Sequence, residues 1–343
     1  MSEFPASQLI ASTILPSQLS LPDVSAYTSK AFGSKTNPHQ REAEIESYQW
    51  FDSYGIHTGT KRQRFFESGF GLMTAMCYPD CNFARFRITM DLFDDMTDGG
   101  ALDTVDGMKR AVDVTMKSLR EPDSPPPKFK VAATVQHCYN RMRQDGNPAM
   151  LRRFVDALDF YTQACFQQKV NRSTDTIPTM EEYIQLRRDT SAMKIGFAIL
   201  EYTLDLDLPD QVADHPLVTE LALAGNDILT WANDIYSFPI EFARGDTHNL
   251  PRSRRRNRLC ESAHRKRLDE YVEIKANLPS FGSGLDEQLA RYLEGIEYCV
   301  QGFIDWTFLT PRYFGAEAAQ VKETGVVNII APITLDTPVI IEA

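Results

Sequence analysis

The sequence predicts an all-α protein. Three observations carry that expectation. Long stretches place apolar residues three and four positions apart, the period of an amphipathic helix. No convincing run of alternating apolar and polar residues reads as a strand. Clusters of Pro, Gly and Asp separate the periodic stretches and supply turns between helices.

The helical stretches follow in order. REAEIESYQWFDSYG (41–55) comes first, then FARFRITMDLFDDMTD (83–98) after the turn at Tyr78–Asp80. ALDTVDGMKRAVDVTMKSL (101–119) follows the Asp98–Gly100 turn. PAMLRRFVDALDFYTQACFQQKV (148–170) lies beyond the proline-rich stretch Glu121–Lys128, which reads as a surface loop. TMEEYIQLRRDTSAMKIGFAILEYTLD (179–205) and HPLVTELALAGNDILTWANDIYSF (215–238) complete the periodic set. The expectation is one domain over residues 1–343, about ten helices, with loose ends at 1–20 and 325–343.

Composition narrows the function classes. The chain has 343 residues, 43% hydrophobic and 24% charged, the balance of a globular protein with a large core. A net charge of -11 disfavours nucleic acid and anionic membranes as partners. The surplus of carboxylates suits hard cations such as magnesium. Six cysteines show no C-x-x-C pair, so they read as free thiols in a reducing compartment, the cytoplasm. No signal peptide and no membrane-spanning run is evident.

Two polar clusters interrupt the apolar helices. DLFDDMTD places carboxylates at Asp91, Asp94, Asp95 and Asp98. Asp94 and Asp98 share a helix face, and like charges at that spacing repel unless a cation sits between them. The alternative is a helix end dissolving into the following turn with its aspartates solvated. For Asp91 the nearest partner by spacing is Arg87, one turn earlier. The second cluster, NDILTWANDIYSFPIE (226–241), contains Asn-Asp-Ile twice, seven residues apart. Asn233, Ser237 and Glu241 lie four residues apart and drift little around the helix, so one metal ion could meet all three. Asn226, Thr230 and Asp234 form a second register of nearly the same chemistry, and the cluster itself does not choose between them. Pro239 removes a backbone donor inside this stretch and is expected to bend the helix between Ser237 and Glu241.

PRSRRRNRLCESAHRKR (251–267) fits neither pattern. It holds eight basic residues against Glu261, with no core-facing stripe. It reads as a solvated or disordered basic loop, against an anion-attracting flap or a nucleic-acid contact.

The order of motifs resembles the class I terpene synthases, and more narrowly the microbial sesquiterpene synthases of fungi. An Asp94–Asp98 DDxxD precedes an Asn233–Glu241 NDxxSxxxE by about 140 residues. LRRDTSA (186–192) resembles the segment that carries the family's diphosphate-sensing arginine. Arg187 stands 46 residues before Asn233, which favours that register over Asn226. PRYF (311–314) resembles the family's C-terminal Arg-Tyr pair. The resemblance covers about residues 45–315.

The resemblance implies a single-domain helical bundle around a central apolar cavity. It implies that three magnesium ions, with manganese as the alternative, grip an isoprenoid diphosphate. Departure of diphosphate leaves an allylic carbocation, giving a sesquiterpene hydrocarbon or alcohol from farnesyl diphosphate. The alternative is a linear terpene alcohol of the nerolidol or linalool type from farnesyl or geranyl diphosphate. Asp94 and Asp98 would hold two ions, with Asp95 in support, and Asn233, Ser237 and Glu241 the third. Arg187, Arg312 and Tyr313 would bind diphosphate and, with Asp94, form the catalytic set. Thr190 and Ser191 would link Arg187 to a helix break. Candidate cavity residues are Phe86, Met90, Phe93, Ser191, Asn226 and Trp306, with Phe197 and Trp231 as further aromatics near the motifs. Asp91 replaces a residue that is often aromatic, and a carboxylate at the cavity mouth would admit water. Ile240 stands where relatives often carry Lys. No nucleic acid or membrane partner is implied, and the chain is expected to be a monomer or homodimer.

Overall fold

A computed structural model describes residues 17–95, 104–174, 176, 179–243 and 254–329, with the backbone alone at 93–95, 180 and 254–259. The helices are α1 (Val24–Thr28), α2 (Gln40–Ser53), α3 (Gly59–Glu67), α4 (Phe70–Cys77), α5 (Phe83–Asp95), α6 (Val105–Arg120), α7 (Lys130–Met142) and α8 (Pro148–Ser173). They continue as α9 (Met180–Thr190), α10 (Met193–Thr203), α11 (Asp210–Ala213), α12 (Pro216–Ala243), α13 (Arg254–Ala276), α14 (Ser283–Trp306) and α15 (Ala318–Thr324). The all-α expectation holds.

Local chemistry explains the helix starts. Asn147 accepts from the Ala149 amide while Pro148 opens α8, where a missing N–H costs nothing. Thr179 and Glu182 form a reciprocal capping box on α9. Thr104 caps α6, which carries Asp106 in its first turn and Lys117 and Arg120 in its last, each favourable to the helix dipole.

The longer helices close a ring. α12 packs on α13 and α14, α14 on α4, α4 on α5, and α5 on α2 and α7. α7 then meets α6, α6 meets α8, and α8 meets α9 and α10, which return to α12. α4 and α14 approach closely: a Cβ on Gly302 would stand 2.4 Å from the Met76 carbonyl oxygen. Glycine is required there by the close approach of two backbones.

Two sequence expectations change. The ends are not wholly loose: β1 (Gln18–Ser20) pairs antiparallel with β2 (Val326–Asn328), Leu19 opposite Val327. Three-residue strands are too short for alternation to show in a sequence. Within the periodic 179–205 stretch a helix break follows Thr190 and Ser191, as the resemblance implies: Ala192 adopts φ 62°, ψ 3° between α9 and α10. The basic segment is helical from Arg254 and carries a core stripe. Cys260 and His264 are buried, and the stripe continues through Leu268 and Tyr271. Arginines between these positions hide the 3.6 period. α12 runs on through Pro239 to Ala243.

Candidate active site

A cavity of about 250 Å³ opens inside the helical ring. Its wall comes from α4 (Phe70, Met73, Thr74, Cys77) and α14 (Cys299, Phe303, Trp306), with Tyr161 of α8 and Leu229 of α12. The wall is apolar and rich in aromatic faces. Phe70, Phe303 and Tyr313 all surround Trp306, at centroid distances of 5.7 to 6.0 Å. The Trp306 indole N–H donates to the Gly69 carbonyl at 2.9 Å, which fixes the ring.

One end of the cavity is polar, and four of the predicted residues, Arg187, Asn233, Arg312 and Tyr313, meet there. Arg187 of α9 donates through Nη2 to Asn233 Oδ1 at 2.8 Å and through Nε to Asp234 Oδ1 at 3.0 Å. Asn233 in turn donates through Nδ2 to the Tyr313 hydroxyl at 2.7 Å. The Tyr183 hydroxyl donates to the other Asp234 oxygen at 2.9 Å. Arg312 holds its guanidinium 5.2 Å from the Phe70 ring centre, a cation–π contact at the cavity edge.

These contacts set the charges. Burial works against the Arg187 charge, but Asp234 and Tyr183 more than offset it, so its pKa lies above the ordinary arginine value. Burial pushes the Tyr313 hydroxyl up to about 12, despite Arg312 and Arg187 nearby. It stays neutral at physiological pH and keeps a proton to donate. Glu241 is felt by both Arg187 and Tyr313, so the third member of the Asn233 series belongs to the same electrostatic neighbourhood. Ser237 is buried one turn before it.

A hard cation fits this donor set in kind. Asn233, Ser237 and Glu241 offer amide, hydroxyl and carboxylate oxygens on one face of α12. The Asn233 oxygen is engaged by Arg187, so an ion there would displace that guanidinium. Asp94 ends α5 but its side chain, like that of Phe93 and Asp95, lies outside the described residues, as does Asp98 entirely. Among the described residues no group of three or more His, Cys, Asp or Glu could hold a metal ion.

The other register of the repeat is occupied differently. Asn226 donates to the Arg188 carbonyl at 2.7 Å and accepts from the Ser191 hydroxyl at 2.9 Å. Thr230 returns its hydroxyl to the Asn226 carbonyl of its own helix. Asp227, fully buried, takes both arms of Arg188 at 2.7 Å and Arg267 of α13 at 3.0 Å.

The cavity candidates divide. Ser191 and Trp306 line the wall, as does Thr190. Phe86 and Met90 are fully buried in the core, and Asn226 stands behind the wall. Phe197 packs near Gly225, and Trp231 against the core, neither on the wall. Asp91 is not at a cavity mouth and does not pair with Arg87. It is fully buried and ion-paired to Arg141 of α7 at 2.6 Å, while Arg87 pairs with Glu46. Burial pushes its carboxyl up, opposed by Ser47 and Arg141. The i−4 spacing put Arg87 within reach, but α5 turns that face toward α2 and α7.

Sequence reasoning missed Arg188 and Asp227, and it read Asp234 only as part of the Asn226 register, whereas the structure pairs it with Arg187. The signal was present: a doubled arginine and a doubled Asn-Asp in neighbouring elements. It also missed the α4 and α14 wall, whose membership depends on packing between helices far apart in the chain. No helix among the described residues is long and apolar enough to cross a membrane. All six cysteines are free thiols.

Comparison with known proteins agrees with this geometry. Residues 88–274, more than half of the chain, match the model for terpene synthase family 2, C-terminal metal binding. Sesquiterpene synthase Agr1 of Cyclocybe aegerita is 33% identical over 90% of this chain and 92% of its own length. Sesquiterpene synthase 3 of Postia placenta is 34% identical over 97% of this chain and 96% of its own. In fold, the chain is similar to germacradien-4-ol synthase from Streptomyces citricolor, with a TM-score of 0.71 at 17% identity, covering 84% of this chain and 98% of that one. With the family model spanning both polar clusters and such relatives matching nearly end to end, this chain belongs to the terpene synthases and is an enzyme, a lyase.

Proposed function

We propose that the protein is a magnesium-dependent sesquiterpene synthase acting on farnesyl diphosphate, folded as one domain. The observation that carries this reading is the polarity of the cavity. An apolar, aromatic wall ends at a cluster where Arg187, Asn233, Arg312 and Tyr313 converge. The fungal relatives, both sesquiterpene synthases by name, support the C15 substrate.

Each residue then has a task. Arg187 and Arg312 present planar guanidinium forks suited to phosphate oxygens, and Tyr313 donates a neutral hydroxyl. Asn233, Ser237 and Glu241, with Asp94 and Asp98, would hold three magnesium ions. The bound metal would neutralise the charge that grows on the departing diphosphate. Release of Asn233 by Arg187 frees an amide oxygen and a guanidinium in one motion, so the resting contact stores both groups in place. Phe70, Phe303 and Trp306 offer ring faces to an allylic carbocation without offering a nucleophile. Met73 and Leu229 help exclude water.

Nothing among the described wall residues singles out a linear alcohol product. Incubation with farnesyl diphosphate and magnesium is expected to yield a volatile C15 hydrocarbon or alcohol and one equivalent of diphosphate. Absence of any C15 volatile by gas chromatography would overturn the reading. Turnover of geranyl diphosphate at a comparable rate would move it to a broader linear-alcohol synthase.

A further inference from the structure

Arg187 and Arg188 are neighbours on α9, and α12 meets them with its two Asn-Asp pairs. Arg187 takes Asn233 and Asp234, toward the cavity. Arg188 takes the other pair: its guanidinium is held by Asp227 and its carbonyl by Asn226. Asp227 is fully buried and is backed by Arg267, which also reaches Glu220 at 2.7 Å.

What these residues hold is a piece of the cavity wall. Thr190, Ser191, Ala192 and Met193 all line it, at the break between α9 and α10. The Ser191 hydroxyl is shared between Asn226 Oδ1 at 2.9 Å and the Arg188 carbonyl at 3.1 Å. It also accepts from the Met193 amide at 3.1 Å, which starts α10. Between them, Ala192 sits in the left-handed region at φ 62°. A residue with a Cβ stays there only where its surroundings over-determine it.

We propose that Asn226, Asp227 and Arg188 form a positioning clamp that fixes the Ser191–Ala192 turn against the reacting chain. They govern which product forms rather than how diphosphate is captured. This rests on the terpene synthase reaction proposed above. A purely structural ion-pair network would tie helices together anywhere along their contact. This one ends on the Ser191 hydroxyl of the turn that faces the cavity and on the Arg188 carbonyl three residues before it, while Asn226 itself stays behind the wall. The three are positioning residues, acting through Ser191 and Ala192.

The test compares Asn226→Ala, Asn226→Asp and Asp227→Asn with the parent enzyme. Product distribution, kcat and KM for farnesyl diphosphate are measured with magnesium in excess. Backbone hydrogen exchange at residues 191–196 is followed without substrate. In Asn226→Ala, exchange at the turn is expected to rise about tenfold, kcat to fall about tenfold and the product mixture to redistribute. KM stays within about threefold of the parent, because Arg187, Arg312 and Tyr313 are untouched. Asn226→Asp keeps the acceptor for Ser191 but not the donor to the Arg188 carbonyl, and should restore part of the product pattern. Asp227→Asn should shift products in the same direction as Asn226→Ala. An unchanged product pattern with unchanged exchange overturns the clamp. So does a rise in KM that accounts for the whole loss. A parent that makes no terpene from farnesyl diphosphate overturns the reaction reading instead, and the exchange at 191–196 then decides the clamp by itself.

Discussion

Asn226–Asp227 and Asn233–Asp234 lie seven residues apart on α12 and face neighbouring arginines, yet they sit in different surroundings. The second pair holds Arg187 beside the cavity, which Asn233 lines, in a contact that a cation and a diphosphate would replace on the proposed reading. The first pair is sealed between α9, α12 and α13, where no replacement partner can enter. Identical residue types would therefore serve exchange at one site and permanence at the other. Access to the cavity, not the identity of the side chains, separates the two roles.

The largest effect should come from breaking the sealed pair. Asp227→Ala leaves Arg188 and Arg267 without their shared buried partner, a loss of about 3–5 kcal/mol. Denaturant titration should show it, and magnesium with inorganic diphosphate should not restore it. Asp234→Ala also exposes an arginine, but here added magnesium and diphosphate should recover much of the loss, since Arg187 gains a new anion. Equal recovery in both variants would erase the distinction.

The sealed side also has a pH signature. His264 of α13 is fully buried, and burial pushes its pKa down from the ordinary 6.5 to about 4. The unfolded chain therefore binds a proton between pH 6.5 and 4 that the native state refuses. Stability should be unaffected above that window and fall as pH drops through it, by roughly 3 kcal/mol in full. Stability curves for parent and His264→Phe should converge toward pH 4 as the parent loses this increment. Parallel curves would show that His264 titrates normally.

Next is the choice of metal register. Asn233→Ala should lower diphosphate release about 100-fold and raise the magnesium concentration needed for half-maximal rate. Asn226→Ala should leave that magnesium requirement within about threefold of the parent. If the two variants exchange these behaviours, the register is wrong. Smallest is Ala192→Gly, which relieves the left-handed strain and should stabilise the fold by about 1 kcal/mol. Loss of stability on melting would mean that the alanine methyl packs usefully in the wall.

The sequence revealed the helices because their apolar period survives in local patterning, as in 148–170 and 215–238. It hid α13 because basic residues are so dense in its sequence that Cys260, His264, Leu268 and Tyr271 do not stand out. The Arg187, Asn233 and Tyr313 motifs were legible by spacing and resemblance, and the structure brings those three into one hydrogen-bonded chain. The wall was not legible. Phe70 and Phe303 are more than two hundred residues apart, and nothing in either segment announces the other. Asp91 shows the same limit: its local partner was Arg87, but the preferred one, Arg141, arrives from a different helix.

The β1–β2 ribbon has a consequence for connectivity. The Ile329 amide donates to the Ser17 carbonyl at 2.9 Å, so positions far apart in the chain are immediate neighbours in space. The covalent order of the helices is thus separable from their spatial order. A circular permutant that joins residue 329 to residue 17 through a short linker, and opens between the exposed Pro125 and Pro126, should keep every helix beside its present neighbours.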